Sequence, residues 1–336
     1  MNNSPANEPD HLHDWPSDQT GGLSAPADSS APNADSDLTE HSVPVPSPEP
    51  PLSQGPDFLH FQPPPPQTRI PHLGHLLLLL GVFLPMALLA TGLAVGLAMH
   101  QHLFGVSTAQ RAMTNIHYIL GSEGLLYIFT FCIASLIFPL FWHKGLFAGL
   151  QWNGSTALRL RWWLVTAALA CFLLAILNEV LIPGPTNTPI EKIFRTPGAA
   201  WLLFAFGVTF APFFEEMLFR GFLLPSLCTA YDWCVERMTG QAMRPIAPNG
   251  HPQWSLSAMI VASVATSIPF AALHAEQTGY AFGPFLLLVG VSVVLCAVRL
   301  RTRSLASSVL VHACYNFMLF TIMAAGTGGF RHLDKM

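Results

Sequence analysis

Seven long apolar runs follow one another along the chain after residue 75. Each is nearly free of charged residues and close to the roughly 20 residues with which a helix crosses about 30 Å of hydrocarbon. Because the bilayer core offers no partners to backbone N–H and C=O groups, such runs predict helices rather than open sheets. The runs are Leu76–Met99, Leu125–Trp142, Trp162–Ile182, Ala199–Phe214 with an extension to Cys228, Ser255–Leu273, Ala281–Val298 and Leu305–Ala325.

The fourth run is longer than one crossing requires and has room for a span followed by a second, partly embedded helix. The pattern therefore predicts an all-α fold, a polytopic transmembrane helix bundle of seven or eight spans. In this division residues 70–198 hold the N-terminal transmembrane helices, residues 199–325 hold a second membrane domain, and residues 326–336 form a short C-terminal tail.

Residues 1–69 have a different pattern, built from Pro, Ser, Asp, Asn and Ala, with fifteen prolines before Gln67. Such a segment buries too little apolar surface to offset the entropy lost on ordering. It also lacks the basic start and short apolar core of a signal peptide. We therefore predict a disordered, acidic, Pro-rich tail, whose proline runs leave open a partner that binds it.

Composition excludes an ordinary soluble domain, since 51% of the residues are hydrophobic and only 10% are charged. The mean hydropathy of +0.43 agrees with a protein whose main partner is the lipid bilayer. Basic residues are few and rarely adjacent, which argues against nucleic-acid binding. The six cysteines lack CxxC spacing, so the sequence predicts neither a disulfide framework nor a zinc cluster.

The distribution of Lys and Arg between the loops predicts the orientation in the membrane. With seven spans, the side that holds the N-terminus carries nine basic residues and the other side carries five. This difference favours a multi-pass protein with a cytoplasmic N-terminus. The nine are Arg69, Lys144, Arg159, Arg161, Arg237, Arg244, Arg299, Arg301 and Arg303, and the five are Arg111, Lys192, Arg195, Arg331 and Lys335.

Ionisable side chains within the apolar runs are candidate functional residues, because a charge is costly in lipid. Three places stand out: two carboxylates and a guanidinium in the fourth run, a histidine that ends the fifth, and a histidine with an asparagine in the seventh. Asn178 and Glu179 are weaker candidates, since they lie near the end of the third run. The residues in the three places are Glu215, Glu216, Arg220, Phe270, His274, His312 and Asn316.

Helical spacing separates the two adjacent carboxylates of the fourth run. Glu216 and Arg220 are four residues apart, so they share a face and are predicted to form an ion pair. Glu215 is rotated by about 100° from Glu216 and points elsewhere, which leaves its carboxylate available for chemistry.

The same spacing relates the other polar residues. His312 and Asn316 are one turn apart and present two polar groups side by side, while Phe270 lies one turn before His274 and is placed to wall its pocket. An alternative reading makes all of these residues a structural network that locks helices together. We favour a functional site, because Ser, Thr or Asn would join helices at lower desolvation cost.

The three motifs, EExxxR, FxxxH and HxxxN in this order, resemble those of the CPBP family of intramembrane endopeptidases. This family includes the type II CAAX prenyl proteases and the bacterial Abi proteins linked to bacteriocin processing or immunity. The resemblance covers roughly Ala199 to Ala325. It implies that residues 199–325 are a catalytic membrane domain, and that the substrate is a membrane-associated protein or peptide.

The resemblance also implies a role for each motif residue. Glu215 and His274 would activate water, and His312 with Asn316 would hold the oxyanion. The remaining motif residues, Glu216, Arg220 and Phe270, would support the site.

Metal dependence is open at this stage, because Glu215, His274 and His312 would also suit a zinc site with an open fourth position. The chain lacks HExxH, in which one helix supplies two ligands and the base. The sequence therefore favours a metal-free glutamate mechanism without a cofactor.

Two rival classes remain beside the protease. One is a catalytically silent membrane binding or immunity protein of the same fold. The other is a transporter with a buried proton relay, which predicts an internal repeat that the two halves of the sequence do not show.

Overall fold

The computed structural model describes residues 69–185, 188–195, 198–247 and 251–331. The predicted disordered tail lies outside the described residues except for Arg69. The end of the predicted C-terminal tail, residues 332–336, lies outside them as well.

Helices dominate the described residues, and the only strand-like pairing among them is an isolated antiparallel bridge between Ile246 and Pro252. A 3₁₀ turn spans Leu103–Gly105, and a π-helical segment spans Met217–Leu223. The α-helices are α1 (Leu73–Gln101), α2 (Ala109–Thr114), α3 (Ile116–Trp142), α4 (Leu146–Gly149), α5 (Gly154–Arg159), α6 (Arg161–Leu181), α7 (Pro189–Phe194), α8 (Ala199–Val208), α9 (Phe210–Glu216), α10 (Leu224–Thr239), α11 (Leu256–Leu273), α12 (Phe282–Thr302) and α13 (Leu305–Gly326).

Within the described part of the chain, seven helical stretches are long and apolar enough to cross a membrane. They are α1, α3, α6, the continuous stretch from α8 to α10, α11, α12 and α13. The predicted all-α, multi-pass bundle is therefore confirmed, and the chain is an integral membrane protein.

The second span begins earlier than predicted, at Ile116 rather than Leu125. Its start is capped by Asn115, whose Oδ1 accepts a hydrogen bond from the backbone N–H of His117 at 3.0 Å. The extra turns carry Glu123, the acidic residue that interrupts the apolar pattern. The span start was placed too late because the pattern was read from the first uninterrupted apolar run.

The fourth span is one continuous helical stretch of 41 residues, Ala199–Thr239. It bends at Thr209, where φ is -114° and ψ is -70°, and it changes to π-helix at Met217. At about 1.5 Å per residue, 41 residues reach well beyond the thickness of one bilayer. The stretch therefore combines a span with an emerging helix, α10, whose turns carry Asp232 and Glu236.

The seven crossings place the helix ends alternately on two faces, and we call the face where α1 begins the N-terminal face. Polar contacts join its elements. Arg69 Nη2 donates to Glu236 Oε1 at 2.8 Å, which links the start of α1 to the end of α10. Arg299 Nη1 donates to Gln151 Oε1 at 2.8 Å, and the N–H of Leu305 donates to the carbonyl of Gln151 at 3.0 Å. These bonds tie α12 and α13 to the chain between α4 and α5.

The other face, which we call the opposite face, holds the ends of α6, α11 and α13 together with α7. The backbone N–H of Ile190 donates to the carbonyl of Gln277 at 3.3 Å. The ring of Phe194 lies 5.7 Å from that of Phe320 and 5.5 Å from that of Phe330, between centroids. Short-range apolar packing thus holds α7 against the end of α13.

Two apolar clusters flank the middle of the fourth span. In one, Leu79 of α1 and Phe138 of α3 pack with Phe222 of the π-helical segment. In the other, side chains of α6, α12 and α13 pack together, including Leu164 and Leu295. The π-helical segment packs into the first cluster through Met217 and Phe222, and the side chains of Glu216 and Arg220 beside it are fully buried and shielded from lipid.

Candidate active site

The adjacent carboxylates lie at the end of α9, directly before the π-helical segment. π-Helical turns are rare and frequently mark functional sites. The side chains of Glu216 and Arg220 are fully buried, whereas that of Glu215 keeps 17% of its surface exposed. The two neighbouring carboxylates therefore occupy different environments, as their rotation around the helix predicts.

Arg220 anchors a buried polar cluster. Its Nη1 donates to Glu216 Oε1 at 2.8 Å, which is the ion pair that the four-residue spacing predicts. Its Nη2 donates to the hydroxyl of Ser292 at 2.6 Å and to the carbonyl of the same residue at 2.9 Å. The guanidinium also lies 4.6 Å from the centre of the Phe270 ring. These partners replace much of the hydration that the guanidinium loses on burial.

His312 of α13 belongs to the same cluster through a contact that sequence spacing could not reveal. Its Nδ1 lies 3.0 Å from Glu216 Oε1. Because an ionised carboxylate only accepts hydrogen bonds, Nδ1 carries a hydrogen and donates it. The remaining nitrogen, Nε2, faces Glu215 Oε2 at 3.8 Å.

His274 caps the C-terminus of α11 and presents its ring in a similar way. Its Nδ1 donates to the carbonyl of Phe270 at 2.9 Å, since a carbonyl oxygen can only accept. Its Nε2 then points at Glu215 Oε2, 3.7 Å away. The Phe270 ring lies 5.0 Å from that of His274 and 5.9 Å from that of His312, so it walls both imidazoles.

Glu215 is thus the point on which the two imidazoles converge. Both separations exceed the length of a hydrogen bond, so neither histidine binds the carboxylate directly. Within the described residues Oε2 of Glu215 is buried without a hydrogen-bond partner. The side chain of Glu215 as a whole is 17% exposed and lines the same cavity as His274 and His312, so a polar molecule in that cavity would find a carboxylate acceptor and two imidazoles nearby.

Asn316 lies on the same wall as His312, one turn further along α13. Its Nδ2 donates to the carbonyl of Gly207 in α8 at 2.8 Å. Among the described residues, no hydrogen bond joins its amide to Glu215 or His274. The structure therefore brings Asn316 to the same cavity but not into direct contact with the other three residues.

All four residues line one cavity of about 820 Å³. Most of its wall is apolar, with side chains from α3, α8, α12 and α13 that include Ile119, Leu203, Phe206 and Leu288. A cavity of this size and character accommodates an extended peptide segment or a drug-sized molecule.

Sequence reasoning missed Glu123, which also lines the cavity. Its Oε1 accepts a hydrogen bond from the hydroxyl of Tyr127, one turn later in α3, at 2.8 Å. The weaker candidate Glu179 lines the cavity, whereas Asn178 is not among its lining residues. An ionisable residue within one turn of an apolar run was the available signal for Glu123, but it fell just outside the predicted boundary.

The three candidate zinc ligands, Glu215, His274 and His312, lie close together, with Nε2 of each histidine 3.7 or 3.8 Å from Glu215 Oε2. In the part of the chain that the structure describes, no group of three or more His, Cys, Asp or Glu side chains is placed to hold a metal ion. The donor set itself, two imidazoles and a carboxylate, is one that zinc accepts.

The comparison with protein families agrees with the three motifs. Residues 197–318 match the family model of the Rce1-like type II CAAX prenyl endopeptidases. No curated protein and no solved structure matches the chain. The matched segment runs from the start of α8 into α13 and contains the residues of all three motifs. Residues 197–318 of this membrane protein therefore form a domain of the Rce1-like type II CAAX prenyl endopeptidase family.

Proposed function

We propose that the chain is an intramembrane endopeptidase in which Glu215 activates a water molecule to hydrolyse a peptide bond of a membrane-associated protein or peptide. The observation that carries the proposal is the position of the Glu215 carboxylate, which lines the cavity and whose Oε2 faces Nε2 of two histidines. Hydrolysis of an amide needs a base to deprotonate water and donors aimed at the oxyanion that develops.

Glu215 and His274 are suited to hold the attacking water. The Nδ1–H of His274 is taken by the Phe270 carbonyl, so Nε2 of the neutral ring carries a lone pair that accepts a hydrogen bond. A water between this nitrogen and Glu215 can donate one hydrogen to each. Glu215 then accepts a proton as the hydroxide attacks the carbonyl carbon, and it returns that proton to the departing amine when the C–N bond breaks.

His312 is proposed to stabilise the oxyanion in its doubly protonated form. Its Nδ1–H already bonds Glu216, so only a second proton on Nε2 would give it a donor that points into the cavity. The contact of Nδ1 with Glu216 Oε1 at 3.0 Å orients the ring so that Nε2 faces Glu215 and the cavity. Glu216 therefore supports catalysis through His312, in addition to its pairing with Arg220.

Asn316 is proposed as the second donor to the oxyanion. A primary amide has two N–H groups, and the contact with Gly207 uses one of them. That contact also fixes the amide plane against α8, which orients the remaining N–H. His312 and Asn316 would then act from adjacent turns of one rigid helix.

A zinc-dependent version of the same protease would use these residues differently. If Glu215, His274 and His312 were ligands, the site would lose its only evident base, because Glu216 is held by Arg220 and His312. We therefore propose that Glu215 acts without metal. Elemental analysis of purified, active protein tests this: stoichiometric zinc, with activity lost on chelation and restored by zinc, would show that the glutamate mechanism is wrong.

The orientation is part of the proposal. The N-terminal face carries the larger number of basic residues, so we place it, and the N-terminus, on the cytoplasmic side. Labelling of Met238→Cys, at an 81% exposed position at the end of α10, with a membrane-impermeant maleimide tests this placement: we expect label only after the membrane is permeabilised.

A proteolysis assay tests the proposed function. Purified wild type and Glu215→Gln are compared in detergent on a library of quenched fluorescent peptides, with Glu179→Gln as the control because Glu179 also lines the cavity. We expect Glu215→Gln to lower the cleavage rate by about 10²–10⁴-fold without changing the melting temperature, because the substitution keeps the shape of the side chain and removes the base. The control should cleave at the wild-type rate.

The same variant separates the protease from a catalytically silent binding or immunity protein. Such a protein would keep its cellular function after Glu215→Gln and lose it after deletion of the Pro-rich tail. Cleavage by Glu215→Gln at the wild-type rate would contradict the proposed mechanism.

A further inference from the structure

A second, smaller cavity lies at the N-terminal face of the bundle, and we call it the basic cleft. Its volume is about 250 Å³, and its wall comes from the connections between α4 and α5, α10 and α11, and α12 and α13. It shares no described lining residue with the cavity that holds Glu215. The residues of its lining that matter below are Gln151, Trp152, Asn153, His251, Thr302 and Arg303.

The basic cleft offers hydrogen-bond donors, and no carboxylate is among its described lining residues. The guanidinium of Arg303 takes part in no hydrogen bond or ion pair with the part of the chain that the structure describes. The amide oxygen of Gln151 accepts from Arg299 at 2.8 Å, and that of Asn153 accepts from the N–H of Thr156 at 3.0 Å. Each of these two amides therefore keeps its NH₂ group as a donor. Such a lining suits a negatively charged acceptor.

The charges around the basic cleft act together. Burial, and then the charges of Lys144, Arg299 and Arg303, hold the pKa of His251 down to about 4. His251 lies between α10 and α11, outside the spans, so its ring is neutral at pH 7 and adds no charge of its own. Because Arg299 is already engaged by two carbonyls and Gln151, Lys144 and Arg303 are the cations that a ligand would meet.

The wall of the basic cleft is held in place by the fold. Gln151 and Arg303 both have left-handed backbones, with φ of 58° and 49°. Non-glycine residues keep this conformation only where the surrounding structure fixes it, and such residues cluster at ligand sites. The N–H of Leu305 donates to the carbonyl of Gln151 at 3.0 Å, and the hydroxyl of Ser304 donates to the carbonyl of Asn153 at 2.8 Å. The two connections that carry the donors are thus fastened to each other.

Tryptophan side chains place the basic cleft at the level of the lipid headgroups. Trp152 belongs to its lining and packs 5.5 Å from the rings of Phe147 and Phe213, between centroids. Trp162 and Trp163, at the start of α6 on the same face, are 72% and 40% exposed. Tryptophan is enriched where a membrane meets water, which is also the depth of phospholipid phosphate groups.

We propose that the basic cleft binds a phosphate group, supplied by the headgroup of an anionic phospholipid. Arg303 pairs with the phosphate, and the amides of Gln151 and Asn153 donate to its other oxygens. The volume is below the roughly 300 Å³ at which pockets for drug-sized ligands begin, so it suits one headgroup whose acyl chains stay in the bilayer. The site lies outside the proposed catalytic machinery and does not depend on which side of the membrane this face occupies.

Binding of short-chain lipids to the purified full chain in neutral detergent tests the proposal. Dissociation constants are measured by microscale thermophoresis for dioctanoyl phosphatidylglycerol, dioctanoyl phosphatidylcholine and glycerol 3-phosphate. Arg303→Gln is the test variant. Arg301→Gln is the matched control, because Arg301 is exposed at the same end of α12 but does not line the cleft.

We expect Arg303→Gln to bind phosphatidylglycerol about tenfold more weakly than wild type, because it loses a hydrogen bond to a charged group. Arg301→Gln should stay within about twofold of wild type. Phosphatidylcholine, which has no net charge, and glycerol 3-phosphate, which has no acyl chains, should bind wild type less tightly. Unchanged binding by Arg303→Gln, or an equal loss in both variants, would overturn the proposed site. Glycerol 3-phosphate bound as tightly as phosphatidylglycerol would overturn the lipid as its source.

Two further measurements keep this test decisive. If Arg303→Gln melts below wild type without lipid, Lys144→Gln replaces it: affinity for phosphatidylglycerol should then fall about threefold, and an unchanged affinity would contradict the proposal. Deletion of residues 1–65 should leave the affinity of wild type unchanged. Lipid binding that appears only after this deletion would show that the acidic tail is the occupant instead. None of these measurements uses cleavage, so their outcome is independent of the proposed peptidase activity.

Discussion

The two ends of the helix bundle use their polar groups in opposite ways. At the N-terminal face, Arg299 is 3% exposed and donates to the carbonyls of Arg220 and Leu150 and to the side chain of Gln151. At the opposite face, the cavity leads down to Glu215, whose Oε2 has no hydrogen-bond partner among the described residues. At the N-terminal face the hydrogen bonds of Arg299 join the helices. At the opposite face the cavity remains open beside Glu215, whose Oε2 accepts no hydrogen bond from the described residues. In the proposed function, the closed end holds the framework and the open end admits substrate.

Glu215 and Glu216 lie at the boundary between these ends. Glu216 faces the closed framework, where Arg220 and His312 both contact its Oε1. Glu215 faces the cavity. Adjacent residues of one helix can thus serve two regions, because a rotation of about 100° separates their side chains.

The largest effect on the framework is expected from Glu216→Gln. The variant leaves Arg220 buried without its carboxylate, and loss of one partner of a buried ion pair lowers the free energy of unfolding by about 3–5 kcal/mol. It also replaces the carboxylate that accepts the hydrogen bond from His312 Nδ1. We expect a lower melting temperature in detergent together with slower cleavage, whereas Glu215→Gln should lose cleavage alone.

A double variant distinguishes loss of the ion pair from general misfolding. Replacing the pair by Glu216→Gln with Arg220→Met removes the unpaired cation, so it should recover part of the stability lost in the single variant. Equal stability and equal loss of cleavage in Glu215→Gln and Glu216→Gln would contradict the division of the two carboxylates between two regions.

A smaller effect is expected at the closed end from Arg299→Met. The substitution keeps an apolar stem but removes the donors to two carbonyls and to Gln151. Buried acceptors left without partners lower the free energy of unfolding by about 1–3 kcal/mol. Denaturation in detergent measures this loss, and the cleavage rate of the protein that remains folded should stay near that of wild type.

Arg301→Met is the matched control, since Arg301 is exposed on the same turn of α12. Surface substitutions of this kind change the free energy of unfolding by about 0.5 kcal/mol or less. If Arg299→Met were as stable as Arg301→Met, the polar contacts of the N-terminal face would not be what closes that end of the bundle.

The helical architecture could be predicted from the sequence because lipid leaves few alternatives to a helix. The sixth and seventh spans begin and end within a few residues of the predicted limits, at Phe282–Thr302 and Leu305–Gly326. The second span was predicted to start too late, since apolar runs mark the part of a helix that faces lipid and not the turns that carry Glu123. The π-helical segment at Met217 has no signal in residue type or spacing that we recognised.

The candidate site was predictable only as far as local spacing reaches. The pair of Glu216 and Arg220 follows from four residues along one helix. The contact of Glu216 with His312 joins residues 96 positions apart, so it depends on how α13 packs against the fourth span. The hydrogen bond from Asn316 to the carbonyl of Gly207 also depends on how α13 packs against the fourth span. Motif order indicated that these residues share a site, but tertiary packing decides which atoms meet.

The smallest effect is expected from deleting residues 1–65, a segment that lies outside the described residues. Its composition provides no apolar periodicity with which to join the core, so membrane insertion, the melting temperature and the cleavage rate of the purified protein should match those of wild type. The deletion keeps Arg69, whose Nη2 is 2.8 Å from Glu236 Oε1 at the closed end. Adding Arg69→Ala to the truncated chain removes that contact and should lower the free energy of unfolding by about 1–3 kcal/mol, because Glu236 is then left buried without this partner. Loss of cleavage on truncation alone would instead show that the tail takes part in the site. A partner of the tail would be detected in cells, as a protein recovered with the full chain and not with the truncated chain.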